Sequence, residues 1–236
     1  MFNRLSSLIL AILLFAILAG SANNFYVFAV SLAILLVASF SINLKRVGLS
    51  WPHLLLPVFF LLGIGGVFVI ITTSAERNIF LLAASVVFYL LESNLGKESH
   101  LLQNIYLFSV FSLFLGLFSA QFYFHLPTVL LVAATYLISH LLIVQGYAGF
   151  SLPAKKYFHI LTGLACAEVA WGLTFWPTHY FVDAVVLFCV FYLIWIFSFS
   201  AFFGKLTWKK AYWQLGLVGL ALLITLTSAA WRPLVK

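Results

Sequence analysis

Long apolar runs alternate with short polar gaps along the whole chain. Most of these runs approach the ~20 residues that a helix needs to cross the ~30 Å hydrocarbon layer of a bilayer. Nine runs are found, at 5–20, 24–43, 53–74, 78–95, 101–120, 126–146, 156–176, 178–200 and 212–230. The pattern predicts an all-α fold, a polytopic transmembrane helical bundle of about nine spans.

The first run is short and allows a second interpretation. Arg4 precedes it, and the small residues Ala19, Gly20, Ser21 and Ala22 follow it. A cation before a short apolar stretch and small residues after it are also typical of a cleaved signal sequence. In that case the mature protein would have eight spans. Against this interpretation, the N-terminal region has only one cation and the next span follows at once.

Several gaps between runs are only a few residues long. They are Ser21 to Asn23, Ser74 to Arg77, Gln121 to His125, and Pro177. Such short connections leave room only for tight antiparallel hairpins. We therefore expect spans 1 and 2, 3 and 4, 5 and 6, and 7 and 8 to pack in pairs.

The composition supports lipid as the main solvent. Apolar residues make up 65% of the chain and charged residues 7%, against about 45–50% and about 25% in soluble domains. No polar stretch is long enough for a separate soluble module, so residues 1–236 are predicted to form a single integral membrane domain. Cys166 and Cys189 both fall inside apolar runs, where we interpret them as small core residues.

Positive charge is concentrated in alternate gaps. If the N-terminus is cytoplasmic, nine cations lie inside: Arg4, Lys45, Arg46, Lys97, Lys155, Lys156, Lys205, Lys209 and Lys210. Three lie outside: Arg77, Arg232 and Lys236. Because Lys and Arg favour cytoplasmic loops, the sequence predicts a cell-membrane protein with a cytoplasmic N-terminus and an extracytoplasmic C-terminus. The net charge of +7 then reflects helix orientation, and no nucleic-acid partner is expected.

Tryptophans mark the same span ends. Trp51, Trp176, Trp208, Trp213 and Trp231 all fall at predicted ends. Amphipathic rings favour the headgroup region of the bilayer. Their positions therefore agree with the spans drawn from the apolar runs.

Glu168 lies near the middle of span 7 among apolar and small residues. A carboxyl at such depth costs about 2.5–3.5 kcal/mol on insertion scales. We expect it to face protein or water. Ala165, Trp171 and Gly172 share its helix face, where a partner helix could approach closely. Two interpretations stay open: a proton- or cation-responsive site, or a buried hydrogen bond that joins span 7 to a neighbour.

Asp183 and His179 follow the turn after span 7. At ~1.5 Å per residue, Glu168 is about 12 Å and Asp183 about 8 Å from that turn. The two carboxyls could share an outward-facing polar pocket, with His179 at its rim. The alternative is that Asp183 is a first-turn acid that the helix dipole favours.

Glu92 in span 4 and His140 in span 6 form a second candidate polar cluster, near the cytoplasmic side. The simpler interpretation is that both reach interfacial water. His159 lies on the same side as His140, so ligation of haem by two histidines is a further hypothesis.

Motifs that would identify an enzyme are absent from the sequence. It has no H-E-x-x-H, G-x-S-x-G, Walker or C-x-x-C pattern. No catalytic residue, metal ligand or cofactor is therefore assigned.

The stretch Glu168-Val-Ala-Trp171-Gly-Leu-Thr-Phe-Trp-Pro177, with Tyr180, Ala184 and Phe191-Tyr192 after it, resembles uncharacterised polytopic membrane-protein families of small-genome, candidate-phyla bacteria. The late segment Leu226-Thr-Ser-Ala-Ala-Trp231 is similar to their last span. The resemblance covers about the C-terminal third. It implies a multi-pass helical fold, and it supplies no activity or cofactor.

Three functions remain open. The first is a non-enzymatic membrane component, a scaffold or subunit with the lipid bilayer and other membrane proteins as partners. The second is a small-solute or proton-coupled transporter that uses Glu168 and Asp183. The third is an intramembrane lipid-modifying enzyme, for which no nucleophile with an adjacent base is found.

Overall fold

A computed structural model describes residues 2–21, 24–45, 51–97, 100–147, 155–202, 204 and 207–229. All regular structure within these ranges is helical. The helices are α1 Phe2–Ser21, α2 Phe25–Leu44, a 3-10 turn Trp51–Leu54 leading into α3 Leu55–Ile70, α4 Ser74–Asn94, α5 His100–Phe124, α6 Thr128–Gly146, α7 Lys155–Leu173, α8 Tyr180–Phe202 and α9 Trp208–Ser228. The predicted all-α fold is confirmed.

Some residues used for the sequence predictions lie outside the described ranges. They are Ala22, Asn23, Arg46, Lys205, Trp231, Arg232 and Lys236. The side chains of Arg4, Lys155 and Lys156 are also outside the described part. Ala230 at the end of the predicted last span is outside it as well.

Seven helices in the described part are long and apolar enough to cross a membrane. They are Phe25–Leu44, Trp51–Ile70, Ser74–Asn94, His100–Phe124, Thr128–Gly146, Tyr180–Phe202 and Trp208–Ser228. In α1 and α7 the described apolar stretches, Leu5–Ser21 and Tyr157–Leu173, are shorter. The chain is a multi-pass helical membrane protein.

Two of the predicted connections lie at other residues in the structure, because the helix ends differ from those drawn from hydropathy. Residues Ser74 to Arg77 lie in the first turn of α4, because Thr73 Oγ1 accepts a hydrogen bond of 3.3 Å from Glu76 N and caps the helix. Residues Gln121 to Phe124 continue α5, which ends before His125 at φ 52°. Pro127 then precedes α6, and the two short connections are residues 71–73 and 125–127.

The chain forms two compact units, residues 1–116 and 117–236. In the N-terminal unit, α1 packs on α2 and α4, and α3 packs on the same two helices. Phe60 and Phe88 are fully buried between α3 and α4, with ring centroids 5.8 Å apart. α3 also crosses α5 closely, since a Cβ placed on Gly66 would lie 2.8 Å from Gly116 Cα.

In the C-terminal unit, α6 and α7 form the most extensive helix pair, and α8 packs on both α7 and α9. Small and medium residues such as Cys166, Ala170 and Leu131 are completely buried. Cys189 on α8 is also buried, and both cysteines are free thiols. The prediction of one membrane domain over residues 1–236 stays a prediction.

Candidate functional site

Glu168 lies on the exposed face of α7. α7 ends at Leu173, five residues after Glu168, which is about 7.5 Å at ~1.5 Å per residue. Turn hydrogen bonds then continue to Trp176. The Glu168 side chain is exposed. Within the part of the chain that the structure describes, the Glu168 side chain makes no hydrogen bond or ion pair.

The opposite face of α7 explains this orientation. Gly163, Cys166, Ala167 and Ala170 are buried on that face. A Cβ on Gly163 would lie 3.0 Å from the Tyr136 ring on α6, so the two backbones are close. Small residues allow such close approach of membrane helices. Because they occupy the side of α7 that meets α6, Glu168 points away from that contact.

Exposed apolar side chains surround Glu168 on α7. Leu164 and Trp171, one turn before and after it, are 47% and 56% exposed. Gly172 is exposed too, and a Cβ placed there would meet no atom within 4 Å. Beside this face, Leu164, Ala167 and Trp171 line a groove of about 540 Å³ whose other wall is α6. The face defined by Leu164, Glu168, Trp171 and Gly172 is called the Glu168 face below.

Asp183 is in the first turn of α8 and is 8% exposed. Thr178 Oγ1 donates a hydrogen bond of 2.6 Å to Asp183 Oδ1. A first-turn acid also interacts favourably with the partial positive charge of the helix N-terminus. Asp183 N donates a backbone hydrogen bond of 3.4 Å to His179 O. In the described residues no side-chain hydrogen bond joins the Asp183 carboxyl to Glu168 or His179. A pocket shared by these three side chains stays a prediction.

His179 lies in the connection just before α8. Its Nδ1 accepts a hydrogen bond of 3.4 Å from Phe181 N, and its ring centroid is 3.9 Å from that of Tyr180 and 5.5 Å from that of Phe122. Partial burial against these rings lowers the pKa of His179 below 6.5. His179 therefore tends to be neutral, which suits its role as a hydrogen-bond acceptor.

Glu92 is almost completely buried in the N-terminal unit, at 1% exposure. Its Oε1 accepts hydrogen bonds from Ser39 Oγ at 2.8 Å and from Asn43 Nδ2 at 2.9 Å, both on α2. The sequence predictions missed these two partners. Their signal is the four-residue spacing of Ser39 and Asn43, which places two polar side chains on one face of an apolar helix.

His140 belongs to the C-terminal unit. Its ring centroid is 5.8 Å from that of His159 on α7 and 6.0 Å from that of Tyr136. Glu92 and His140 thus have separate sets of described neighbours, and their grouping into one cluster stays a prediction. Among the described residues, no three His, Cys, Asp or Glu side chains are placed to hold a metal ion.

A second and larger cleft lies between α8 and α9, with a volume of about 1040 Å³. Neither this cleft nor the groove beside Glu168 is lined by Asp183, His179 or Glu168 itself.

No protein-family model, no curated protein and no solved structure matches the chain.

Proposed function

We propose that this protein is a non-enzymatic subunit or scaffold of a membrane assembly, and that the Glu168 face packs against a transmembrane helix of another protein. One observation is the main support. A carboxyl about 7.5 Å from the end of α7 at Leu173 is exposed on the outer side of the helix, and its side chain makes no hydrogen bond or ion pair in the described part of the chain.

Lipid chains are a poor environment for this carboxyl. They offer no hydrogen-bond donor, and an acid in the membrane costs about 2.5–3.5 kcal/mol on insertion scales. A neighbouring helix that donates from a hydroxyl, amide or cationic side chain would remove much of that cost. The predicted partner is therefore a membrane helix with a donor at the depth of Glu168.

The shape of the Glu168 face suits a helix. Gly172 has open space above its backbone, which favours close approach of a second helix. The groove lined by Leu164, Ala167 and Trp171 can accept an apolar side chain of that helix, since helix surfaces pack ridges into grooves.

We propose a bacterial cytoplasmic membrane as the setting, with the N-terminus inside and the C-terminus outside. The predicted distribution of cations between alternate connections supports this orientation. The resemblance of the C-terminal third to polytopic families of small-genome bacteria supports the same setting.

Photo-crosslinking in native membranes tests the proposed contact. A photoreactive residue replaces Leu164 on the Glu168 face or, as a control, Leu217 on α9, which is 54% exposed and has no acid nearby in sequence. We expect a protein adduct of defined mass from position 164 and none of that mass from position 217. Glu168→Gln should keep this adduct because an amide still hydrogen-bonds, and Glu168→Leu should lose it.

The proposal is wrong if position 164 captures only lipid, or if Glu168→Leu leaves the adduct unchanged. A transporter would behave differently: Glu168→Gln would abolish pH-dependent uptake in vesicles. That result, together with the absence of the adduct, would favour the transport hypothesis instead.

A further inference from the structure

The cleft between α8 and α9 combines apolar walls with two exposed cations, Lys209 and Lys210. It lies between the last two turns of α8, including Phe197, Phe199 and Ser200, and the first two turns of α9. At about 1040 Å³ it is at the upper end of the ~300–1,000 Å³ that small-molecule sites usually occupy. It has room for a polar headgroup and part of an apolar chain.

The walls are mostly hydrocarbon and aromatic rings. Phe197 and Phe199 line the α8 side, and Trp208 and Trp213 line the α9 side. These tryptophans are 80% and 74% exposed, which is the usual state of rings in the headgroup region of a bilayer. An occupant of this cleft must therefore be largely apolar where it meets the walls.

A hydrogen bond between the two helices holds part of the cleft lining in place. Tyr192 OH on α8 donates to Gln214 Oε1 on α9 at 2.7 Å. Gln214 lines the cleft, and this bond uses only its amide oxygen. The amide nitrogen can donate a hydrogen bond, as an ester or phosphate oxygen of an occupant would require.

Two lysines provide the charge. Lys209 and Lys210 line the cleft and are exposed. The N-terminus of α9 adds partial positive charge at the same place. Thr207 Oγ1 accepts from Lys210 N at 3.4 Å and fixes this first turn.

In the described part of the C-terminal unit, no acidic side chain forms an ion pair with these lysines. Glu168 and Asp183 are the acids in the sequence from residue 117 to 236. Asp183 is in the first turn of α8, whereas the cleft begins at Ile196. Thirteen residues of helix separate the two, which is about 20 Å. The two lysines and the N-terminus of α9 make this part of the cleft positive, which favours an anionic occupant.

We propose that the α8–α9 cleft binds an anionic phospholipid, with its phosphate at Lys209 and Lys210 and an acyl chain along Phe197 and Trp213. Charge and surface chemistry both favour this occupant. A free phosphate would leave the apolar walls without a partner, and a purely apolar chain would leave two cations without an anion. Basic pockets between membrane helices are known to hold acidic lipid headgroups.

Lipid retention in purified protein tests the site. The full chain is purified in mild detergent, incubated with equal amounts of phosphatidylglycerol and phosphatidylcholine, and examined by native mass spectrometry. We expect selective retention of phosphatidylglycerol. Lys209→Gln/Lys210→Gln should weaken it about 10- to 30-fold, because each lysine near a membrane surface contributes roughly a factor of five.

Two further variants distinguish specific lipid binding in the cleft from unspecific attraction of anionic lipid by surface lysines. Lys45→Gln/Lys97→Gln removes the same charge from exposed positions of the N-terminal unit and should leave retention unchanged. Ala211→Phe fills the cleft from its α9 wall while keeping both lysines, and it should reduce retention several-fold. A helical circular dichroism spectrum and a monodisperse elution profile check the fold of each variant.

The proposal fails if phosphatidylcholine is retained equally, if the Lys45/Lys97 variant loses as much lipid as the Lys209/Lys210 variant, or if Ala211→Phe retains the wild-type amount. It also fails if the cleft mediates self-association, seen as a dimer that Ala211→Phe converts to a monomer. Glu168→Leu should retain phosphatidylglycerol, so this result is independent of the proposed contact at the Glu168 face.

Discussion

Glu92 on α4 accepts a hydrogen bond of 2.9 Å from the amide of Asn43 on α2. Both side chains are 1% exposed. Ser39, one turn before Asn43, donates to the same carboxyl oxygen at 2.8 Å. A buried acid is tolerated in this apolar surrounding because two donors on a neighbouring helix face it. The contact also fixes the rotation of α2 relative to α4.

Replacing Glu92 tests this contact. Glu92→Leu should lower the free energy of unfolding by about 1–3 kcal/mol, because it leaves two buried donors without their acceptor. Glu92→Gln should cost less, since its amide oxygen can still accept. Unfolding in mixed micelles with increasing dodecyl sulfate measures both changes. If the Leu variant were as stable as the wild type, the contact would have no stabilising role.

The crossing of α3 and α5 predicts a steric effect. Gly66→Ala should destabilise the protein by about 1–3 kcal/mol, a typical cost of overpacking, because the new methyl group would lie 2.8 Å from the Gly116 backbone. Gly216→Ala on α9 is the matched control, since a Cβ there meets nothing within 4 Å. That variant should be neutral or more stable by about 0.5–1 kcal/mol. Equal effects in thermal unfolding would contradict the observed close approach.

Arg77 has a structural role that accounts for a cation on a predicted outer connection. Its Nε donates a hydrogen bond of 2.6 Å to Ile71 O, just after α3, and its guanidinium lies 5.6 Å from the Phe68 ring centroid. Arg77→Gln should lower the free energy of unfolding by about 0.5–1.5 kcal/mol. The melting temperature in detergent should fall accordingly. Lys97→Gln, at an exposed position, is the control and should have almost no effect. Equal melting temperatures for the two variants would exclude this role.

The lowered pKa of His179 predicts a small loss of folding stability in acid. Burial lowers its pKa in the folded state from the ordinary 6.5, so the unfolded chain takes up a proton first. Stability should therefore fall as the pH drops below about 6.5, until the folded-state histidine is also protonated. His179→Asn should remove that part of the pH dependence. The melting temperatures of the wild type and the variant at pH 7.5 and 5.5 measure this contribution. If both proteins lose the same number of degrees between the two pH values, His179 does not cause the loss.

Helix positions were largely predictable from the sequence. The second run was drawn at 24–43 and α2 spans Phe25–Leu44, because apolar length determines a membrane span. Helix ends were less predictable. They depend on single side chains such as Thr73, which caps α4, and hydropathy does not distinguish a capping threonine from one in a loop.

The environment of Glu168 could not be predicted from apolar residues alone. With 65% apolar residues, the lipid-facing and protein-facing sides of a span look alike, so hydropathy gives no amphipathic stripe. The spacing of Gly163, Ala167 and Ala170 was the available signal, because small residues mark the side that another helix approaches. It places Glu168 on the other side of α7.

The α8–α9 cleft was missed for a related reason. Lys209 and Lys210 were interpreted as orientation signals, and Trp208 and Trp213 as interface anchors. Each of those interpretations considers one residue at a time and does not include which residues lie close together in space. Only the packing of α8 against α9 brings the cations and the rings around one volume.

The most direct measurement is the accessibility of single cysteines in intact cells, since both proposals require helices that cross a membrane with alternating connections. Cysteine replaces Glu76, Phe175, Lys97 or Lys209, all of which are exposed. The buried Cys166 and Cys189 serve as an unlabelled background. A membrane-impermeant maleimide should label positions 76 and 175 in intact cells, and positions 97 and 209 only after permeabilisation. Labelling of position 97 or 209 in intact cells would contradict the account.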